Sequence, residues 1–406
     1  MSAGKAILAA CAAAVATGVF VPVLRLKRAV KDAEGRLEDC AAETAMLSYG
    51  KMTYVDRGPS CKASDGMCLS DEKPSGKGSS GNGLEGKEPS GKGLDDKTSS
   101  GNGLEGKEPS GKGLDDKTSS GNGLDGKEPS GKGLDDKTSS GNGLDGKALD
   151  GKGRNPAAGE TLLSVHGLYG GYDQALENVG SLSSRYRILA PSRFGYPGSS
   201  VKGEGTPREQ AEAYVELLDL LGIERVFILG ASAGGTPAIR FVLDFPERAK
   251  GLILYCSTAP WNEKPAKIPG LMGPPPIMNH DLSMWLAFPI YRRLYGMEAD
   301  VVHRMLPLSK RKEGADLDAR IVNRDMAVNF EAYPIEEMHV PVLLLHAKDD
   351  RMAPFKGPAG QVEGSLHRYP NLETKIFETG GHLMTGHSRE IDAAVVEFIE
   401  RHKQGG

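Results

Sequence analysis

Cysteine is scarce and odd in number: Cys11, Cys40, Cys61, Cys68 and Cys256 are the five in 406 residues. So few thiols make no disulfide framework, and Cys61 and Cys68 are too far apart for a C-x-x-C turn and have no histidine beside them, so no zinc site follows. Charge of one sign is lacking too. The 50 basic and 54 acidic side chains leave a net −4, and no Arg/Lys stripe with interleaved aromatics runs through the chain, which argues against a nucleic-acid partner. Long apolar runs are rare. One stands near the start, "AILAACAAAVATGVFVPVL" at 6–24, uncharged over 19 residues and long enough for a helix to cross a bilayer core of about 30 Å. Lys5 precedes it, and Arg25, Lys27, Arg28 and Lys31 follow. This asymmetry predicts membrane association through residues 6–24 as a single-pass anchor, with the carboxy-terminal side in the cytosol. The small-residue "AVA" at 14–16 leaves a cleaved secretory signal as the alternative.

What the chain has in excess is glycine, 54 in all, much of it in one tract. From Gly81 the sequence repeats "GNGLEGKEPSGKGLDDKTSS" with a twenty-residue period, each unit holding two leucines, five glycines and one proline. Such a unit buries too little apolar surface to offset backbone ordering entropy of roughly 1–2 kcal/mol per residue, so the tract is expected to be disordered. A G-x-y period is absent, which excludes collagen, and one leucine per decad gives stacked repeats nothing to share. The tract is a spacer, an interaction surface of unknown partner, or a duplicated loop tolerated because added length costs little closure entropy.

Downstream, apolar runs alternate with helical patterns. "TLLSVH" (161–166), "YRILA" (186–190), "RVFIL" (225–229), "GLILY" (251–255), "PVLLLH" (341–346) and "TKIFE" (374–378) read as strands buried on both faces. Thr206-Pro207-Arg208-Glu209 combines a capping box with proline at the first helical position, and Tyr214, Leu217, Leu218 and Leu221 recur at helical spacing. "SREIDAAVVEFIERH" near the end does the same. The sum predicts an α/β class with a mostly parallel central sheet flanked by helices.

"ILGASAGG" at 228–235 sits between the run "RVFIL" and the helical pattern "TPAIRFVLDF". Gly230 and Gly234, two residues either side of Ser232, remove side chains that would collide in a tight strand-to-helix turn. Such a turn lifts a serine hydroxyl above the sheet edge and aims the following N–H groups at the same point. A hydroxyl attacks a carbonyl only when a base removes its proton and an acid fixes that base. "PVLLLHAKDDRMAP" offers Asp349 and Asp350 as acids, of which Asp350 is chosen. "TKIFETGGHLMTGH" offers His382 after two glycines, and His387 at a helix start.

With "HGLYGGYDQAL", "APSRFGYPGSS", the Ser232 turn, "HAKDDRMAP" and "GGHLMTGH" in this order, the chain resembles the α/β-hydrolase superfamily, in particular single-domain serine hydrolases of the esterase and lipase type. The resemblance covers roughly 45–58, where "GKMTYVDRG" is similar to the second strand, and 160–400. It implies an α/β-hydrolase fold with a helical cap and a disordered low-complexity insertion. The implied organisation is an amino-terminal apolar segment and linker (1–40), first strands (41–70), insertion (71–153), core with the serine turn (154–258), cap (259–340), and core with the acid and histidine loops (341–406). It also implies Ser232 as nucleophile, His382 as base and Asp350 as acid. The backbone N–H groups of Leu168 and Ala233 would form an oxyanion hole supported by His166, Gly167, Gly230 and Gly234. Neither cofactor nor metal is implied.

The cap stretch holds Trp261, Trp285 and seven of thirteen methionines, which line an adaptable apolar pocket or form the cap's own core. The expected substrate is a small apolar carboxylic ester cleaved through an acyl-enzyme. The same triad also serves amides, thioesters, C–C bonds or acyl transfer. A non-catalytic, membrane-tethered binding or surface protein is the competing class.

Overall fold

The computed structural model describes residues 21–59, 159–295, 297–356 and 361–404. The chain divides into two units, 1–70 with 153–406 and 71–152, and every described residue belongs to the first. The elements are α1 (Val21–Asp39), β1 (Glu43–Leu47), β2 (Gly50–Arg57), β3 (Thr161–Val165), α2 (Tyr172–Glu177), β4 (Arg187–Pro191), α3 (Pro207–Leu220), β5 (Val226–Ala231), α4 (Gly235–Asp244) and β6 (Ala249–Tyr255). After β6 come α5 (Asp281–Tyr295), α6 (Ala299–Arg304), α7 (Lys312–Leu317) and α8 (Asn323–Val328) of the cap. β7 (Val342–Ala347), α9 (Gln361–Ser365), β8 (Leu372–Phe377) and α10 (Ser388–His402) complete the chain.

The strands form one sheet in the order β1-β2-β4-β3-β5-β6-β7-β8. β1, β2 and β4 pair antiparallel, and every pair from β4 to β8 is parallel. β3, β5 and β7 are buried at every residue, which is why they read as continuous apolar runs rather than alternating ones. On one face Leu163, Val165, Leu189 and Ile228 pack with Tyr214, Leu217 and Leu218 of α3 and Ile239 and Phe241 of α4. On the other, Leu162, Ile188, Phe227 and Leu229 pack with Leu176 of α2 and Val395, Phe398 and Ile399 of α10. α3 starts where the sequence signal puts it: Thr206 Oγ1 accepts the Glu209 N–H, and the Glu209 carboxylate accepts the Thr206 N–H. Because the inner strands run parallel, the loops after β3, β5, β7 and β8 all emerge at one sheet edge, where ligands bind in open α/β sheets.

The repeat tract, its expected disorder and its partner fall on 60–158, outside the described residues. Its stems are described. Arg57 pairs with Ile188 and Thr161 with Arg187, so β2 ends and β3 begins beside the start of β4, at the edge opposite Ser232. They are two strand spacings apart, about 10 Å. Excising residues 75–153 therefore leaves ample chain to bridge the stems, and kcat/KM of the deletion protein is expected to stay within about twofold of the full chain. A folded but inactive deletion protein would contradict this.

The amino-terminal expectation needs correction. Among the described residues no helix is long and apolar enough to cross a membrane. Residues 6–20 lie outside the description, and 21–24 are the first turn of α1. The cations read as the flank of a span, Arg25, Lys27, Arg28 and Lys31, lie on the exposed face of this helix. Its other face carries Ala29, Val30 and Ala33 against the cap cluster of Met284, Met305 and Leu306, and Leu37 against the sheet-side core. The Tyr172 hydroxyl donates to Leu37 O at 2.9 Å. Hydropathy along one dimension counts charges without seeing that they share a face, so the membrane anchor, transmembrane helix and membrane localisation are withdrawn.

Candidate active site

β5 ends at Ala231, and Ser232 turns the chain into α4 with φ of 51°, a left-handed conformation unusual for a residue with a side chain. The flanking glycines make this turn sterically feasible. A Cβ on Gly230 would lie 2.7 Å from Ala238 Cβ and Gly235 Cα, and one on Gly234 would lie 2.5 Å from His166 O. A Cβ on Gly167 would press on Ser232 Cβ at 3.0 Å. These close approaches carry the strained turn and hold the loop after β3 against the serine.

The loops after β7 and β8 bring the other two groups. His382 Nε2 lies 2.9 Å from Ser232 Oγ, and His382 Nδ1 lies 2.9 Å from Asp350 Oδ2. Asp350 Oδ1 accepts the N–H groups of Met352 at 2.7 Å and Ala353 at 3.0 Å, so both carboxylate oxygens are engaged and the side chain is fixed. Asp349 has a different job. It accepts the N–H groups of Gly380 at 3.3 Å and Gly381 at 2.9 Å, tying the acid loop to the histidine loop. Gly380 and Gly381 both have positive φ, which explains the two glycines before His382. His387 caps the start of α10: it stacks on Phe377 with ring centroids 4.1 Å apart, and its Nδ1 lies 2.6 Å from Glu390 Oε2.

Two neighbouring backbone donors in the loop after β3 are already engaged. Gly167 N–H goes to Gln174 Oε1 at 3.2 Å and Tyr169 N–H to the Tyr196 hydroxyl at 3.3 Å. Leu168 N–H stands between them, on the wall shared with Ser232. His166 holds this loop rather than reacting. Its Nε2 accepts the Arg193 N–H at 2.9 Å, so Nδ1 carries the proton and donates to Gly167 O at 2.8 Å. Burial, reinforced by the Arg193 charge, pushes its pKa well down and keeps it neutral. The Arg193 guanidinium donates to Gly167 O at 3.1 Å and to both Asp318 oxygens at 2.6 Å. Sequence reasoning missed this pair, because Asp318 lies in the cap with no local pattern to mark it.

For His382, burial disfavours the imidazolium, but the Cys256 sulfur, 4.0 Å from Nε2, and the Asp350 carboxylate favour it, and the pKa rises above the ordinary imidazole value. For Asp350, burial works against the carboxylate, but the His382 hydrogen bond and charge outweigh it and the pKa falls. Linkage follows in two directions. The His382 contribution to stability is complete below the ordinary imidazole pKa and is lost as pH rises through the raised one. The Asp350 contribution is present above the ordinary carboxylate pKa and is lost as pH falls through the depressed one. Reaction at Ser232 needs neutral His382, so its rate with an acylating probe should climb as pH rises through that titration. Asp350→Asn and Cys256→Ala are each expected to move the midpoint to lower pH; a midpoint unmoved in both would show that neither group sets it.

The cleft above Ser232 has walls of Leu168, Tyr169, Tyr291, Met297, Met305 and Leu383, with Gln174, Asn178 and Cys256 beside Ser232 and His382 on its lining. The methionines serve both expected roles: Met297 and Met305 line the cleft and also belong to the buried cap cluster with Met284. Neither tryptophan lines it. Trp285 packs on Phe288 in the cap, and Trp261 packs against the sheet core. Among the described residues no group of three or more His, Cys, Asp or Glu could hold a metal ion.

The chain is 26% identical over 264 residues to a 2-hydroxy-6-oxononadienedioate/2-hydroxy-6-oxononatrienedioate hydrolase of Paraburkholderia phymatum, spanning 60% of this chain and 88% of that one. It is 32% identical over 102 residues to a 2-hydroxy-6-oxo-6-phenylhexa-2,4-dienoate hydrolase of Burkholderia cepacia, spanning 24% of this chain and 36% of that one. Among solved structures, an esterase of Exiguobacterium antarcticum aligns with a TM-score of 0.47 and 17% identity over 60% of this chain and 92% of that one. A sequence profile described as the Alpha/beta hydrolase family matches residues 162–394, more than half of the 406. The match runs from within β3 into α10 and takes in β4 to β8 and the cap, and the chain is a hydrolase belonging to the alpha/beta hydrolase family.

Proposed function

We propose that the protein cleaves a carboxylic ester with an apolar acyl or alkyl group through an acyl-enzyme. The observation that carries this reading is the continuous hydrogen-bond chain from Ser232 Oγ through His382 to Asp350, with both links at 2.9 Å. Ser232 Oγ bonds to the ester carbonyl carbon while His382 Nε2 takes the hydroxyl proton. Asp350 holds the imidazole tautomer and offsets its charge. The carbonyl oxygen becomes an oxyanion facing the N–H groups of Leu168 and Ala233, where losing one such donor typically costs about 10²–10³ in rate. The C–O bond to the alcohol then breaks as His382 returns the proton to the leaving oxygen. Water, deprotonated by the same imidazole, releases the acid.

The relatives named for dioate and dienoate hydrolysis make C–C cleavage the second reading. The described cleft lining speaks for the ester, because no Arg or Lys is among the described residues that form it. The buried guanidiniums of Arg193 and Arg311 are committed elsewhere, to Asp318 and to Asp173. A carboxylate-bearing substrate would be desolvated there with no described Arg or Lys to pair with, which costs several kcal/mol at order of magnitude. The test is a fluorophosphonate probe followed by a substrate panel. Labelling is expected in the wild type and in Ser184→Ala, and lost in Ser232→Ala; a folded sample that never labels returns the protein to the non-catalytic binding class. Turnover is expected to favour neutral esters of medium acyl length, and preference for dicarboxylate C–C substrates would replace the ester reading.

A further inference from the structure

Of the buried side-chain polar atoms that have no hydrogen-bond partner among the described residues, Asn178 Nδ2 is the one whose residue lines the Ser232 cleft. Asn178 follows the last residue of α2, one helical turn beyond Gln174, so the two side chains share a face of the helix. Both reach the cleft, but they are differently engaged. Gln174 Oε1 is already used by the Gly167 N–H at 3.2 Å and so fixes the loop beside Ser232. The Asn178 amide nitrogen is out of water with no such use, in a cleft lined mostly by leucine, methionine and tyrosine side chains. A buried donor left unmatched is unfavourable, and an apolar side chain of the same size would fill this wall without that cost. An amide at that place discriminates between ligands that carry an acceptor and ligands that do not.

We propose that Asn178 is a specificity-determining residue that donates from Nδ2 to an acceptor oxygen within the substrate arm. The substrate is then not a plain alkanoate but an ester whose acyl or alkyl chain bears an oxo, hydroxy or ether oxygen at one set distance from the scissile carbonyl. The idea deepens the ester reading of the same cleft, though the recognition it describes is a binding property and does not require turnover. It also separates the two amides by role: Gln174 positions the loop, and Asn178 reads the ligand.

The test uses the full chain with Ser232→Ala, so that esters bind without reacting. Binding of unsubstituted hexanoate esters is compared by calorimetry with a series carrying one oxo group at each successive chain carbon. One member is expected to bind about 10-fold more tightly than its parent, and the ratio is expected to fall to about one when Asn178→Leu is added. Asn178→Ala, which adds no bulk, gives the same readout should the leucine variant fail to fold. The proposal is overturned when no oxo ester outbinds its parent, or when the preference survives in both variants. Turnover of the same esters by the protein with Ser232 intact keeps the two readings apart: oxo preference in binding without any hydrolysis would retire ester chemistry and leave the role of Asn178 standing.

Discussion

Ser232→Ala is expected to lower kcat by about 10⁴–10⁶ while leaving KM within a few fold, because the hydroxyl makes its essential bond only on the way to the transition state. His382→Ala should cost as much, and the double variant no more than either alone. Ser232 Oγ and His382 Nε2 are joined at 2.9 Å and act as one unit: without the base the hydroxyl is a poor nucleophile, and without the hydroxyl the base has nothing to activate. Asp350→Asn should cost about 10⁴, since the amide would favour the imidazole tautomer that cannot accept the serine proton. Steady-state kinetics on the preferred substrate of the panel, with folding checked by circular dichroism, decides the matter. Multiplying losses in the double variant, or a folded Ser232→Ala protein that still turns over, would remove Ser232 and His382 from these roles.

The second large effect belongs to stability. Arg193 and Asp318 are 3% and 1% exposed as side chains and meet through two 2.6 Å contacts. The Tyr196 hydroxyl donates to the same carboxylate at 2.5 Å, and the Arg193 guanidinium lies 5.0 Å from the Tyr196 ring centroid. Burial disfavours the guanidinium charge, but Asp318 more than restores it and the Arg193 pKa is raised. Asp318→Leu would strand that charge in the interior, a loss of about 3–5 kcal/mol. For a domain of this size the midpoint of thermal unfolding should fall by roughly 10 °C. Activity should fall as well, in kcat more than in KM, because Arg193 also holds Gly167 O beside Ser232. Pairing Asp318→Leu with Arg193→Met removes the orphaned charge, so the double variant should regain most of the stability but not the rate. An unchanged melting temperature in Asp318→Leu would mean the pair is not holding the cap to the loop.

Much of the site was written locally in the chain. The turn around Ser232 needs small residues at fixed offsets, and Gly230 and Gly234 show why: each would bring a Cβ within 2.7 Å of packed atoms. The strands at 161, 187, 226, 249 and 342 are largely buried on both faces, so their apolar runs stood out; β8, read as equally buried, is an edge strand in which only Phe377 is buried. Asp350, not Asp349, lies against His382, and the sequence held no physical basis for choosing between them: adjacent carboxylates differ only in which way the loop turns them. What Asp349 does, holding Gly380 and Gly381 from 31 and 32 residues away, had no sequence signal.

By itself, the sequence determined the α/β class, the order of the strands along the chain, and the serine, aspartate and histidine loops, since each of these depends on spacings of a few residues. Only the tertiary structure decided that residues 21–39 form a helix whose apolar face braces the cap, that Asp318 answers Arg193 across 125 residues, and that Asn178 lines the cleft. The reason is the same in each case: a buried charge, an amphipathic face or an unmatched donor is defined by what lies across from it, and the partner comes from a distant part of the chain.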